Sequence, residues 1–205
     1  MGKAPISGKL KQRFVNEIES ITMLALARSA NTGLADGKLI PEVLIIGLKL
    51  TAKATEIPSE VIELIAGQRK SGIVFACVRE VPFEGRTREE CAFAVRRAQP
   101  GRAGHTLIYH VYAGDWQPAG ECQLELTGST IDELWASLCS QAILGTTDFE
   151  NLDACIVQHG EIARLEADVD KLTRDHQRAK NPAQRNEIYA KLHKAKTQLA
   201  QMREV

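Results

Sequence analysis

Near the end of the chain the apolar and small residues fall into a step that suits a helix and nothing else. Ile162, Leu165, Val169, Leu172, His176 and Ala179 step by 3-4-3-4-3, and Ile188, Leu192, Ala195, Leu199 and Met202 by 4-3-4-3. Residues at this spacing make a narrow stripe along a helix, the seam by which one helix covers another. The seam cannot run straight through. Ala179 and Ile188 are nine residues apart, not seven, and Pro182 would remove a helical hydrogen bond and clash with the turn before it. A turn at Lys180-Asn181-Pro182 resolves both conflicts and puts Pro182 in the first turn of the second helix. The sequence therefore predicts an antiparallel, coiled-coil-like hairpin over 151–205, following a globular domain over 1–150. Each arm has about three heptads, too short to stand as an independent coiled coil. Such a hairpin leaves one side of each stripe under-covered and should dock on its own domain, on a second copy or on another protein.

A chain of 205 residues is long enough for one cored domain plus such an appendage. Its 26 Lys+Arg balance 26 Asp+Glu, so no global field draws it to nucleic acid or to an acidic membrane, and any such binding needs a local patch. No apolar run approaches the ~20 residues that span a bilayer, and MGKAPISGKLKQ lacks the apolar core of a secretory signal. Five cysteines (Cys77, Cys91, Cys122, Cys139, Cys155) are scattered, odd in number and never paired as CxxC. That is the usage of reduced thiols, and a cytoplasmic location is expected.

The globular part reads as α+β: a mixed, mostly antiparallel sheet of about five strands flanked by helices. After a basic arm (Lys3, Lys9, Lys11, Arg13), Phe14, Ile18, Ile21 and Ala25 recur at helical spacing, predicting a first helix that stops near Ala30-Asn31-Thr32-Gly33. Val43 to Leu48 and Gly72 to Val78 are short, nearly continuous apolar runs, the mark of strands buried on both faces. A short helix capped by Ser59 lies between them, and strand–helix–strand predicts a parallel pair. Cys91 to Val95, Thr106 to Tyr112 and Cys122 to Leu126 read as a following antiparallel meander. Thr130 and Glu133 fit a capping box opening a helix whose apolar face is Ile131, Leu134, Trp135, Leu138 and Ala142, ended by Gly145.

Chemistry-bearing motifs are sparse. His105, His110 and Cys122 lack the paired spacing of a metal site. No nucleophile elbow or phosphate-binding glycine loop occurs. Asp36, Glu42 and Lys49 are the one set that resembles a Mg²⁺ nuclease's acids and lysine, but Gly47 stands where the acid of an E-x-K arrangement belongs. Phe93, Tyr109, Tyr112 and Trp116 lie near Arg96, Arg97 and Arg102, a thin version of a stacking surface for single strands. In the second arm Arg185, Lys191, Lys194 and Lys196 are candidate nucleic-acid contacts, weak in a neutral chain. The stripe residues Leu165, Val169, Leu172, Ile188, Leu192 and Leu199 are the candidate partner-binding set. No catalytic residue, metal ligand or cofactor is assigned.

The stretches LKQRFVNEIESI, PEVLIIGLKL, YHVYAGDW with LELTGSTIDELWASL, and RNEIYAKLHKAKTQL resemble the bacterial and archaeal domain of unknown function 4391 family, over nearly the whole chain. Asn181-Pro182 departs from that family's Lys-Gln-Phe type of turn. The resemblance implies a setting beside helicases and DNA methyltransferases in restriction-like defence clusters, and it supplies no catalytic residues to carry over. The expected function is a non-catalytic accessory protein of a DNA-processing system, docking a helicase or methyltransferase through its hairpin, with self-association as another use of the same surface. A metal-dependent nuclease-like enzyme or a weak nucleic-acid-binding module is the alternative.

Overall fold

A computed structural model describes residues 6–99 and 107–203. The expectations placed on Lys3, Arg102, His105 and Thr106 fall outside those residues. The chain divides into two compact units, 1–152 and 153–205.

In the first unit a six-stranded sheet runs in the order β1-β2-β3-β4-β5, with β6 also paired to β4. The strands are β1 Ile18–Ala27, β2 Val43–Leu50, β3 Gly72–Phe83, β4 Arg86–Ala98, β5 Tyr109–Ala113 and β6 Gln117–Pro118. Among the described residues four α-helices accompany them, α1 Gly8–Glu17, the single turn α2 Ser29–Thr32, α3 Ser59–Ala66 and α4 Ile131–Leu144, with a 3-10 turn at Ala119–Glu121. The β2–β3 pair is parallel, Val43 opposite Gly72, as the strand–helix–strand order predicted. The β1–β2, β3–β4, β4–β5 and β4–β6 pairs are antiparallel. Between β3 and β4 the turn is Glu84-Gly85, at φ 49° and 75°. Two left-handed residues suit the twist of a two-residue hairpin, and Phe83 pairs directly with Arg86.

The two faces of the sheet have separate covers. On one, Leu44, Leu48 and Leu50 of β2, Ile73, Phe75 and Cys77 of β3 and Ala94 of β4 form a core with Val61, Ile62 and Ala66 of α3, and Leu10 and Phe14 of α1 pack against it. On the other lies α4, whose Trp135 ring sits against Gly72. Residues 72–77 of β3 are all buried, as predicted. In β2 only Val43, Leu44, Leu48 and Leu50 are buried while Ile45, Ile46 and Gly47 are half-exposed, so burial on both faces holds for β3 alone.

Two elements correct the sequence reading. The first helix does not reach Gly33: it ends at Glu17, and Ile18 turns extended at φ −108° and ψ 121°. Ile18–Ala27 is a strand, laid against the full length of β2 from Ile18 opposite Leu50 to Ala27 opposite Val43. Its Ile18, Ile21 and Thr22 fit either periodicity, and β-branched side chains settle on the pleated surface once a partner strand is there. Asn31 and Gly33 do end a helix, but it is the single turn α2, with Gly33 left-handed at φ 75°. The second correction is Cys122–Leu126, which joins no ladder. Its backbone bonds a side chain instead: Gln141 of α4 accepts from the Glu125 amide (2.7 Å) and donates to the Glu125 carbonyl (2.9 Å). Cys122 and Leu124 are less exposed than Gln123 and Glu125, but Leu126 is 70% exposed, so the segment has no continuous apolar face.

Helix caps follow local chemistry. Thr130 Oγ1 accepts the Glu133 amide at 3.1 Å, while Glu133 returns its bond one residue earlier than the box predicts, to the Ser129 amide. Gly145, at φ 71°, ends α4. Residue 58, not Ser59, holds the cap position of α3.

Candidate functional site

The second unit is built by α5 Leu152–Arg178 and α6 Pro182–Arg203. Asn181 opens α6, its Oδ1 accepting the Ala183 amide at 2.8 Å and the Gln184 amide at 3.4 Å. Pro182 is the first helical residue, where a missing N–H costs no helical bond. Asp153 in the first turn of α5 and His176 and Arg178 in its last match the helix dipole.

The arms run antiparallel. Near the turn the His176 and Tyr189 rings lie 5.9 Å apart, and at the far end Gln158 Nε2 donates to the Met202 carbonyl at 3.0 Å. Arg203 pairs with Glu166 beside it. Exposure follows the stripe: Ile162, Leu165, Val169, Leu172 and His176 of α5, with Ala179 just past its end, are half-buried among exposed neighbours such as Arg164, Asp168 and Lys171. On α6, Leu192 and Ala195 are buried and Ile188, Leu199 and Met202 half-buried. The six residues named as a partner-binding set therefore fall on one line of each helix, Leu192 buried and the other five half-buried.

The four basic candidates are not brought together. At about 100° per residue, Arg185 and Lys196 border one side of the α6 stripe, and Lys191 and Lys194 the other. Lys191 is held by Glu187 at 2.7 Å, and that hydrogen bond, with the lysine's charge, keeps the Glu187 carboxyl below the usual carboxylate range. Tyr189, 57% exposed, falls on the same side as Arg185 and Lys196. That side is a mixed basic and aromatic strip rather than a charge cluster, and sequence reading passed over Tyr189 because it lies outside the heptad step.

In the first unit the acid–lysine set does not converge. Glu42 and Lys49 stand at opposite ends of β2, roughly 23 Å apart at ~3.3 Å per residue. Glu42 accepts Ser71 Oγ at 2.8 Å and Arg28 Nε at 2.7 Å, which together hold its carboxyl below the usual range. Asp36 accepts Ser29 Oγ. Lys49 lies between Glu19 at 3.3 Å and Glu80 at 3.6 Å, whose bonds and charges raise its pKa. Among the described residues no group of three or more His, Cys, Asp or Glu is placed to hold a metal ion. Burial pushes the thiols of Cys77, Cys91 and Cys139 up to about 12, so none is a thiolate near neutrality.

The aromatic surface is already occupied. Arg79 stacks on Trp116 (3.9 Å to the ring centroid), Arg88 on Phe83 (4.0 Å) and Arg96 on Tyr109 (3.9 Å). Each arginine is also neutralised: Arg79 and Arg88 share the buried Glu90 at 2.9 and 2.5 Å, and Arg96 binds Glu63 at 2.7 Å. Arg79, Arg88 and Glu90 were missed by sequence reading. Their signal was available only as a register: Arg79 sits opposite Glu90 on neighbouring strands.

Among the described residues no helix is long and apolar enough to cross a membrane. The model of the family described as Domain of unknown function (DUF4391) matches residues 1–199, and the chain belongs to that family. No curated protein and no solved structure matches it.

Proposed function

We propose that this member of the family is a non-catalytic assembly protein of a DNA-processing, restriction-like or phage-defence system, and that its helical hairpin docks a helicase or methyltransferase of the same system. The observation that supports the reading is the division of labour within the hairpin. The heptad stripes of α5 and α6 face each other and hold the arms together, while Arg185, Tyr189 and Lys196 line an outer side of α6 that the stripe leaves exposed. A helix side that carries a tyrosine among basic residues fits an acidic groove with an apolar pocket. The partner's identity rests on the genomic setting that the family resemblance implies.

The test is co-purification of the neighbouring gene products with the full chain. Tyr189→Asp and deletion of 161–205 should each release the partner. A partner retained by both variants overturns the reading. A second reading, direct nucleic-acid binding, draws on the same basic residues. It predicts weak affinity that falls steeply with salt, and a mobility shift unchanged between two salt concentrations removes it.

A further inference from the structure

The turn of the hairpin gathers positive charge. From Lys171 to Asn186 the chain carries Lys171, Arg174, Arg178, Lys180 and Arg185 against one acid, Asp175. All five bases are exposed. None of them belongs to an ion pair among the described residues, although Lys191 and Arg203 of the same hairpin do. In the first unit Arg28, Arg79, Arg88 and Arg96 are each held by a glutamate. At about 100° per residue, Lys171, Arg174 and Arg178 share the side of α5 that points away from the seam. Arg178 and Lys180 also line a cleft at the turn, together with Asp175 and with Asn181 and Gln184, whose amides are neutral donors.

Helix stability alone does not choose this arrangement. Cations suit the last turn of α5, where Arg178 stands, but α6 opens with no acid in its first turn and with Arg185 near the positive end of its dipole. An anion lying across the turn meets bases from both arms. What the tip lacks narrows that anion's chemistry. Among the described residues no large apolar side chain between 171 and 188 is exposed. A protein interface has an apolar core, and an acidic membrane surface takes apolar groups from the helix it holds. A single strand needs rings to stack on, and the exposed ring of the neighbouring turn, Tyr189, is tilted against His176. Duplex phosphates ask only for charge and hydrogen-bond donors. We infer that the hairpin turn is a contact for the backbone of duplex DNA, in which Lys171, Arg174, Arg178, Lys180 and Arg185 bind phosphates without reading sequence. This rests on the nucleic-acid reading above and on the DNA-processing role, and it moves the contacts from Lys191, Lys194 and Lys196 to the turn.

The experiment is fluorescence anisotropy of the full chain with a short labelled DNA duplex, titrated at several salt concentrations. Five phosphate contacts give a log–log salt slope of about −4.5, so affinity should fall roughly 500-fold from about 50 to 200 mM salt. Replacing Arg174, Arg178 and Lys180 together by alanine should bring the slope to about −2, with an unchanged circular dichroism spectrum. Lys180→Ala alone, outside either helix, should lower it by about 0.9. Lys191→Ala with Lys194→Ala, at exposed bases further along α6, should leave it as it was. No binding to the duplex removes the nucleic-acid reading and this inference together. A slope that follows Lys191 and Lys194 and not the turn overturns this inference alone, and so does tighter binding to a single strand of the same sequence. Polyglutamate that displaces the duplex at equal charge assigns the turn to an acidic protein and overturns it as well.

Discussion

Gly72 is a position where one added methyl group meets a ring. It opens β3 opposite Val43, with its amide bonded to the Glu42 carbonyl at 3.0 Å. A Cβ there would stand 2.6 and 2.7 Å from Trp135 Cε3 and Cδ2 and 3.1 Å from Ile40 Cδ1. Carbon atoms pack at about 3.5–4.0 Å, so close to an ångström must be found by moving the indole, and with it α4. Overpacking of this kind costs about 1–3 kcal/mol, and the lost chain entropy of Gly→Ala returns about 0.4–1 kcal/mol through the unfolded state. The net expectation for Gly72→Ala is about 1–2 kcal/mol of destabilisation, a fall of roughly 2–8 °C in Tm for a unit of this size. Urea denaturation would be followed by far-UV circular dichroism, which reads all four proteins whether or not Trp135 is present. The decisive comparison is a double-mutant cycle with Trp135→Leu, which empties the space that the new methyl needs. On that background Gly72→Ala should be neutral or stabilising, giving a coupling of about 1 kcal/mol or more. An equal cost on both backgrounds would refute the steric argument and leave the glycine with a backbone role only.

Three further outcomes are expected. Burial raises the Asp132 pKa, but hydrogen bonds from the Ile40, Lys38 and Leu39 amides outweigh it and leave the carboxyl below its usual range. A folded-state pKa below the unfolded one means that this contribution is present above the unfolded value and is lost as pH falls through the folded one. Asp132→Asn should therefore lower stability at neutral pH and flatten the acid side of the stability profile, measured as the urea midpoint from pH 7 downward. Iodoacetamide at pH 8 should label Cys122 and Cys155 in the native protein and leave Cys77, Cys91 and Cys139 untouched until urea is added, read by peptide mass spectrometry. Leu192→Ala, at the buried centre of the α6 stripe, should cost roughly 2–3 kcal/mol, the low end for a buried leucine because a two-helix contact can collapse. It should speed amide exchange along both arms of the hairpin, whereas Tyr189→Ala, whose ring lies beside His176, should change exchange in α5 no further than that last turn.

What could be read from the sequence was what neighbours in the chain decide among themselves. The 3-4 step, the nine-residue slip and Asn181-Pro182 specify two helices and the turn between them, because each is a constraint within a few residues. Thr130 and Gly145 bound α4 for the same reason, and the strand–helix–strand order made β2 and β3 parallel. The family match over residues 1–199 agrees with the resemblance carried by those same stretches. Ile18–Ala27 defeats this kind of reading, since its residues fit a helix as well as a strand and β2, some twenty residues further on, makes the choice. The site candidates divide along the same line. The leucines of the stripe could be named from spacing alone. Which basic residues share a side with Tyr189, that Glu42 and Lys49 hold separate ion pairs, and that arginines already cover Trp116, Phe83 and Tyr109 depend on register and on side chains far apart in sequence. Periodicity determined the hairpin. Pairing across the sheet decided the strand and the distance at Gly72 that a methyl group cannot fill.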